Sequence, residues 1–442
     1  MREAGFGWPT IVRLWLVQSA LGGVVALCTS TLNRVMVVEY ALPAVLPAAL
    51  VALHYAVQLS RPAWGHGSDR GARRTPWIVG GMALLALGAV LAAFATTRIA
   101  GSPGTGLVLG VTAFVMIGGG VGAAGTSLLA LMAAGVAPAR RGAAASIAWI
   151  MMIFGIVLTA TVAGKVLDPF SPARLVMVAG GVAAAAFALA TLAVWGVERG
   201  VQAATPSVAK ADFRAAVAGV WADPKARLFT IFVFVSMLAY SAQELILEPF
   251  AGLVFRLTPG QSASISAMQH GGVLLGMILV GVLGNALGTR SEASLRQWTV
   301  AGCVGSALAL GVLALGASRG PGWPLAPMVF VLGFANGMFA VAAIGSMMAL
   351  AGAGGRGHEG VRMGLWGGAQ AIAFAVGGFL GATGVDAGRH AFAASSSAFI
   401  LVFGLEAAVF LTAALIARRV GRAGETAPAP DYSADLAFEG SI

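Results

Sequence analysis

Twelve runs of roughly twenty apolar residues follow one another along this chain, about the length a helix needs to cross the hydrocarbon core of a bilayer. They lie near 11–32, 43–61, 76–97, 105–134, 143–164 and 174–197, and then near 228–256, 263–288, 296–317, 325–350, 363–385 and 392–417. Many are dense in glycine and would make poor helices in water. In lipid an unpaired backbone has no solvent to bond, so helix is the conformation left. The pattern predicts an all-α integral membrane protein. Composition agrees, because only 10% of the residues are charged, against about 25% in a soluble domain. The 62 glycines suit helices that pack backbone to backbone.

The net charge of +10 does not point to nucleic acid, since most basic residues sit in short loops between apolar runs. The N-terminus, the even-to-odd loops and the C-terminal tail hold 20 of the 27 Lys and Arg. The other side holds Arg34, Arg98, Lys165, Arg174, Arg256, Arg319 and Arg389. That bias predicts a multi-pass membrane protein with both termini in the cytoplasm, and an even helix count also puts the termini on one side. The first run is longer than a signal-peptide core and no A-x-A site follows it, so it reads as an uncleaved helix. Cys28 and Cys303 fall inside apolar runs and read as buried small hydrophobes.

Internal repetition divides the chain in two. Gly65-x-x-x-Asp69 returns 216 residues later as Gly281-x-x-x-Asn285, and Phe114-Val115 returns at the same shift as Phe330-Val331. Trp149 and Trp366 are 217 apart. The expected organisation is a six-helix bundle over 1–197, a cytoplasmic linker over 198–227, a second six-helix bundle over 228–417 and a disordered cytoplasmic tail over 418–442. In the linker, Phe213, Val217, Val220 and Trp221 are spaced for one face of a surface-lying helix.

The loop between the second and third runs, Gly65-His66-Gly67-Ser68-Asp69-Arg70-Gly71-Ala72-Arg73-Arg74, is the densest arginine cluster in the chain. It resembles the loop between helices two and three of the major facilitator superfamily, on Gly65, Asp69, Arg70, Arg73 and Arg74, with the following glycine one place early. The resemblance implies twelve transmembrane helices in two pseudo-repeated halves. It gives those five residues the role of a structural latch.

Polar groups inside a membrane are costly and usually face the bundle interior. His54, Gln58 and Arg61 are spaced for one face of the second helix. Ser236, Tyr240, Glu244 and Glu248 recur every four residues on the seventh, up to Pro249. Gln269-His270, Asn336, Gln370 and Glu406 lie on the eighth, tenth, eleventh and twelfth. In the first half Glu39 is the nearest acid, at the extracytoplasmic end beside Asn33 and Arg34, with none near mid-membrane. Each of these groups also has a plain packing role open to it. Neither a Walker loop, a metal-spaced His/Cys/Asp cluster nor a nucleophile elbow is legible, so no enzyme is predicted.

Three blocks carry a narrower resemblance. They are Thr31-Leu32-Asn33-Arg34-Val35-Met36-Val37-Val38-Glu39-x-x-x-Pro43 with Leu50 to Tyr55, then Gln243 to Phe250, and Arg362 to Gly367 with Ala369 to Phe374. They are similar to the PucC/LhaA, or bacteriochlorophyll delivery, family of the major facilitator superfamily. The likeness departs at Glu244, at Phe250-Ala251 and in the tail. It implies a light-harvesting complex assembly factor in the intracytoplasmic photosynthetic membrane, with bacteriochlorophyll as cargo and antenna polypeptides and pigment-synthesis enzymes as partners. An apolar, glycine-lined cleft would suit a flat macrocycle. The candidate pigment- or substrate-binding residues are His54, Gln58, Asn33, Glu39, Tyr240, Glu244, Glu248 and His270, with His54 first and His270 second as axial ligand to the pigment magnesium. Two alternatives stay open: a proton-coupled transporter of an amphipathic molecule working through Glu244 or Glu248, and a non-transporting scaffold.

Overall fold

The structure is a computed structural model that describes residues 6–61, 64, 73–136, 138–198, 218, 221–286, 292–353 and 359–425. Among these lie twelve membrane-length or near-membrane-length helices and no strand. They are α1 (Trp8–Glu39), α2 (Val45–Gln58), α3 (Thr75–Ile99), α4 (Pro103–Gly135), α5 (Pro138–Val166) and α6 (Pro172–Val194). The second half continues with α7 (Pro224–Phe255), α8 (Pro259–Ala286), α9 (Glu292–Arg319), α10 (Leu325–Ala353), α11 (Glu359–Ala391) and α12 (Ser395–Glu425). Eleven are long and apolar enough to cross a bilayer, and α2 is shorter at 14 residues. Proline opens many of them, as at Pro9, Pro76, Pro103, Pro138, Pro172, Pro224 and Pro259. There its missing N–H costs nothing and its fixed φ suits the first turn.

The packing obeys a shift of six helices. In the first half α3 lies along α4 and α6, α1 along α5 and α6, and α2 along α4. In the second half α9 lies along α10 and α12, α7 along α11 and α12, and α8 along α10. Across the interface α2 meets α11 and α5 meets α8, two contacts that the same shift exchanges. The halves are therefore related by a pseudo-two-fold axis running between them. Successive helices alternate in direction, so the loops α1–α2, α5–α6, α7–α8 and α11–α12 share one end of the bundle. That end, opposite both termini, is the distal end.

Small residues make the close helix pairs. A Cβ placed on Gly333 of α10 would overlap the Gln269 carbonyl oxygen of α8. With no apolar solvent contrast to drive helices together in lipid, such backbone approach supplies the packing energy. Large apolar side chains such as Leu192, Leu308 and Val108 point outward, as a lipid-facing surface requires. Cys28 and Cys303 are free and buried.

Three helices overrun their expected ends by six residues or more, among them the eleventh, which runs to Ala391 where 385 was expected. The first was expected to stop near 32 but continues to Glu39, through two π-helical stretches at Leu27–Thr31 and Val35–Glu39. The twelfth continues through Arg418, Arg419 and Arg422 to Glu425, so residues 418–425 are helical where a disordered tail was expected. No proline falls in that stretch, and a basic cluster ends a membrane span without ending the helix. Of the arginine-rich loop, Gly65, Asp69 and Arg70 lie outside the described residues. The Arg74 and Thr75 backbone N–H groups donate to the two carboxylate oxygens of Glu198, at 2.7 and 2.8 Å, which caps α3 from the end of α6. Phe213, Val217 and Val220 of the linker, and the tail beyond Glu425, also lie outside the described residues.

Candidate functional site

The two π-helical stretches of α1 set the site. A π turn adds a residue to the helical circuit and rotates the residues after it, and such turns gather at functional positions. Here they bring Ser30, Asn33 and Arg34 to the seam with the second half, where all three are buried. On the facing side, Pro249 sits inside α7. A proline has no N–H to give to the carbonyl four residues back, which leaves the Leu245 carbonyl without its helical partner. Asn33 Nδ2 donates to that carbonyl at 2.5 Å.

Around this contact runs a polar network between the halves. Ser30 Oγ donates to Glu248 Oε1 at 2.6 Å and lies 3.5 Å from Ser266 Oγ of α8. The Ser266 carbonyl accepts from His270 Nδ1 at 2.9 Å, and His270 Nε2 lies 3.5 Å from Glu244 Oε1. Glu248 and His270 are buried, and Glu244 is about a quarter exposed. Glu248 Oε2 has no partner among the described residues. Toward the termini the network meets an aromatic row that also crosses the seam, with Tyr55 of α2 and Phe374 of α11 5.3 Å apart and Phe374 and Tyr240 of α7 5.9 Å apart.

Toward the distal end, each of the three Arg34 nitrogens donates a hydrogen bond. Nη1 donates to Glu39 Oε1 at 2.5 Å, Nη2 to the Leu257 carbonyl at 2.6 Å, and Nε to Ser262 Oγ at 3.3 Å. Beyond it, Asp168 after α5 accepts from Thr258 Oγ1 at 2.5 Å and from the Gly260 backbone N–H at 3.1 Å, capping α8 of the other half. Asp386 on α11 accepts from the Val45 backbone N–H at 2.8 Å, capping α2. The two aspartates lie 218 residues apart and exchange under the pseudo-two-fold. Each places a carboxylate at the positive end of a helix across the seam. A cavity of about 600 Å³ opens between Arg34, Glu39, Asp168, Phe170, Arg256 and Thr258.

The candidates from sequence divide into two groups. Asn33, Glu39, Tyr240, Glu244, Glu248 and His270 come together at the seam. His54 and Gln58 do not join them. His54 is fully buried and packs against α4, where its carbonyl lies against Gly118. Gln58 Nε2 donates to His54 Nε2 at 2.8 Å, and Arg61 donates to Gln58 Oε1. That chain runs along α2 inside the first half. Sequence reasoning missed Ser30, Ser262, Ser266, Asp168 and Asp386 as site members. Serine and a loop aspartate are common, and only the π turns and the helix exchange show what they face.

Fold and site together define an all-helical membrane protein of two six-helix halves, the major facilitator fold, with polar contacts joining the halves at the distal end. The chain belongs to the PUCC protein family, whose model matches residues 31–424. It is 53% identical over 429 residues to the Bacteriochlorophyll synthase 44.5 kDa chain of Rhodobacter capsulatus, covering 97% of this chain and 99% of that one. It is 30% identical over 384 residues to Protein PucC of Cereibacter sphaeroides, covering 83% and 81%. Among solved structures it resembles the nucleoside transporter NupG, with a TM-score of 0.69 at 12% identity over 93% of this chain and 99% of that one. It also resembles a bacterial homologue of the human lysosomal transporter Spinster, with a TM-score of 0.68 at 14% identity, covering 95% and 98%. At such identities the likeness is one of fold.

Proposed function

We propose that this chain is a light-harvesting complex assembly factor that carries bacteriochlorophyll to antenna polypeptides, or chaperones those polypeptides as they take up pigment. It works beside the pigment-synthesis enzymes in the photosynthetic membrane, with both termini in the cytoplasm, and catalyses no step itself. Family membership supports the setting. The observation that carries the cargo is the setting of His270. Its Nδ1–H is bonded to the Ser266 carbonyl, which orients the ring and leaves Nε2 as the free lone pair. Metal-ligating histidines are held in this way, and Nε2 points toward the partly exposed Glu244 near the aromatic row.

His54 is a poorer ligand in this conformation, because Gln58 occupies its Nε2. Purification of the full-length protein from a pigment-making host, followed by its absorption spectrum, tests the assignment. Bound bacteriochlorophyll should fall several-fold in His270→Leu and stay near the parent level in His54→Ala. Pigment-free parent protein rejects the cargo, and a selective loss in His54→Ala rejects His270 as the ligand.

One observation favours a second reading, a proton-coupled carrier of an amphipathic molecule. Glu244, Glu248 and His270 form a titratable cluster at the seam, closed off distally by Asp168 and Asp386. Substrate uptake by vesicles that depends on an imposed proton gradient and vanishes in Glu248→Gln would select it.

A further inference from the structure

Behind α7, away from the seam, the second half has a polar layer where a membrane bundle is normally apolar. Gln243 of α7, Ser306 of α9 and Asn336 of α10 are fully buried, and Glu406 of α12 is 5% exposed. Their common level follows from the layer beneath them. Tyr240 and Phe339 rings lie 6.4 Å apart, Phe339 and Phe410 rings 5.7 Å apart, and Gly302 abuts the Phe339 backbone. Gln243 and Asn336 stand three residues distal of Tyr240 and Phe339, and Ser306 and Glu406 four residues distal of Gly302 and Phe410. At 1.5 Å per residue all four side chains leave their helices roughly 4.5–6 Å above the aromatic layer.

Two of the four are in direct contact, and the other two lie on helix faces that meet one another. Ser306 Oγ donates to Asn336 Oδ1 at 2.7 Å. Gln243 shares a helix face with Phe250, seven residues on, whose ring meets Phe399 and Phe403 of α12 at 5.1 and 4.9 Å. Glu406 shares a face with those two phenylalanines. Yet both ends of Gln243, both oxygens of Glu406 and Asn336 Nδ2 have no partner among the described residues.

The first half shows that the fold does not need this layer. At the 216-residue shift the four positions are Leu27, Val90, Gly120 and Ala190. The polar layer is a property of the second half alone.

We infer that Gln243, Ser306, Asn336 and Glu406 enclose a small site for water. The unmatched atoms are a mixture: the carboxyl oxygens of Glu406 and the amide oxygen of Gln243, and amide donors on Gln243 and Asn336. A metal cation takes acceptors alone and an apolar ligand takes neither, whereas water donates and accepts. Buried water characteristically bridges such groups. Exchangeable water gives α7, which carries Glu244 and Glu248 on its seam side, a contact with α10 and α12 that tolerates displacement without stranding hydrogen bonds.

X-ray hydroxyl-radical footprinting of the purified full-length protein tests this, because radicals formed from trapped water oxidise side chains that bulk solvent never reaches. Phe339 and Phe410, both fully buried, should be oxidised several-fold faster than Phe114, which is equally buried in the first half. Their rates should fall to the Phe114 level in the triple variant Gln243→Leu, Asn336→Leu, Glu406→Leu. Equal rates for the three phenylalanines in the parent protein overturn the proposal, and that comparison stands if the triple variant does not fold. Protection of Phe339 and Phe410 by sodium but not by choline would make the occupant a cation and overturn it too.

Discussion

Asn33 repairs what Pro249 breaks. The proline leaves the Leu245 carbonyl of α7 without an N–H, and the Asn33 amide of α1 supplies one across the seam at 2.5 Å. A helix defect in one half has thereby become an attachment point for the other. Removing one partner of a buried hydrogen bond costs about 1–3 kcal/mol, so Asn33→Ala should lower the thermal midpoint clearly. In a Pro249→Ala background the alanine N–H restores the helical bond, and the same Asn33→Ala change should then cost much less. A cycle of four unfolding curves measures the coupling, and strictly additive effects would refute it.

Arg34 and Glu39 form an unequal pair, with the guanidinium buried and the carboxylate about 29% exposed. Losing Glu39 strands a buried cation, while losing Arg34 leaves an acid that water can reach. Breaking one side of a buried pair costs about 3–5 kcal/mol, discounted here for Glu39's exposure. Glu39→Ala should therefore destabilise, and adding Arg34→Met should recover part of the loss in the same melting assay. If the double variant is less stable than Glu39→Ala alone, the pairing account fails.

Asp168 and Asp386 seal the distal end by capping helices of the opposite half. A cap is typically worth about 1 kcal/mol. Removing both would shift a sealed-to-open equilibrium by about 2 kcal/mol, roughly thirtyfold in population. Ser262, fully buried under the seal, reports on it as Ser262→Cys in a background lacking Cys28 and Cys303. A membrane-impermeant maleimide should react many times faster once Asp168→Ala and Asp386→Ala are combined, with each single change giving a smaller rise. Unchanged reactivity in the combined variant would show that the seal is held elsewhere.

Glycine positions separate by what faces them. A methyl on Gly333 would collide with the Gln269 carbonyl, whereas one on Gly311 of α9 meets nothing within 4 Å. Overpacking costs about 1–3 kcal/mol, so Gly333→Ala should destabilise by that order. Gly311→Ala should be neutral or slightly stabilising, since alanine is the better helix former by about 1 kcal/mol. Thermal melts of the two variants compare them directly.

Much of the fold was legible because lipid simplifies the problem. A span of apolar residues with no water to bond its backbone has one conformation open to it, so twelve spans and two halves could be read from composition and spacing. Pro249 and the stripe Tyr240, Glu244, Glu248 were likewise visible as a periodic pattern on one helix. The overrun of α1 to Glu39 was not, because the two π turns leave no local pattern in the sequence.

The linear order of residues thus determined the helices, their alternation, their pseudo-repeat and the inventory of polar groups that had to be buried. Only the tertiary structure decided which of those groups meet. His54 and Gln58 bonded to each other along α2, while His270 joined Glu244 and Glu248 at the seam. Asp168 and Asp386, unremarkable in sequence, became reciprocal caps. Helical periodicity specifies the angle at which a side chain leaves its own axis. The partner it finds depends on how two helices rotate and approach, and that is set by the packing of whole halves.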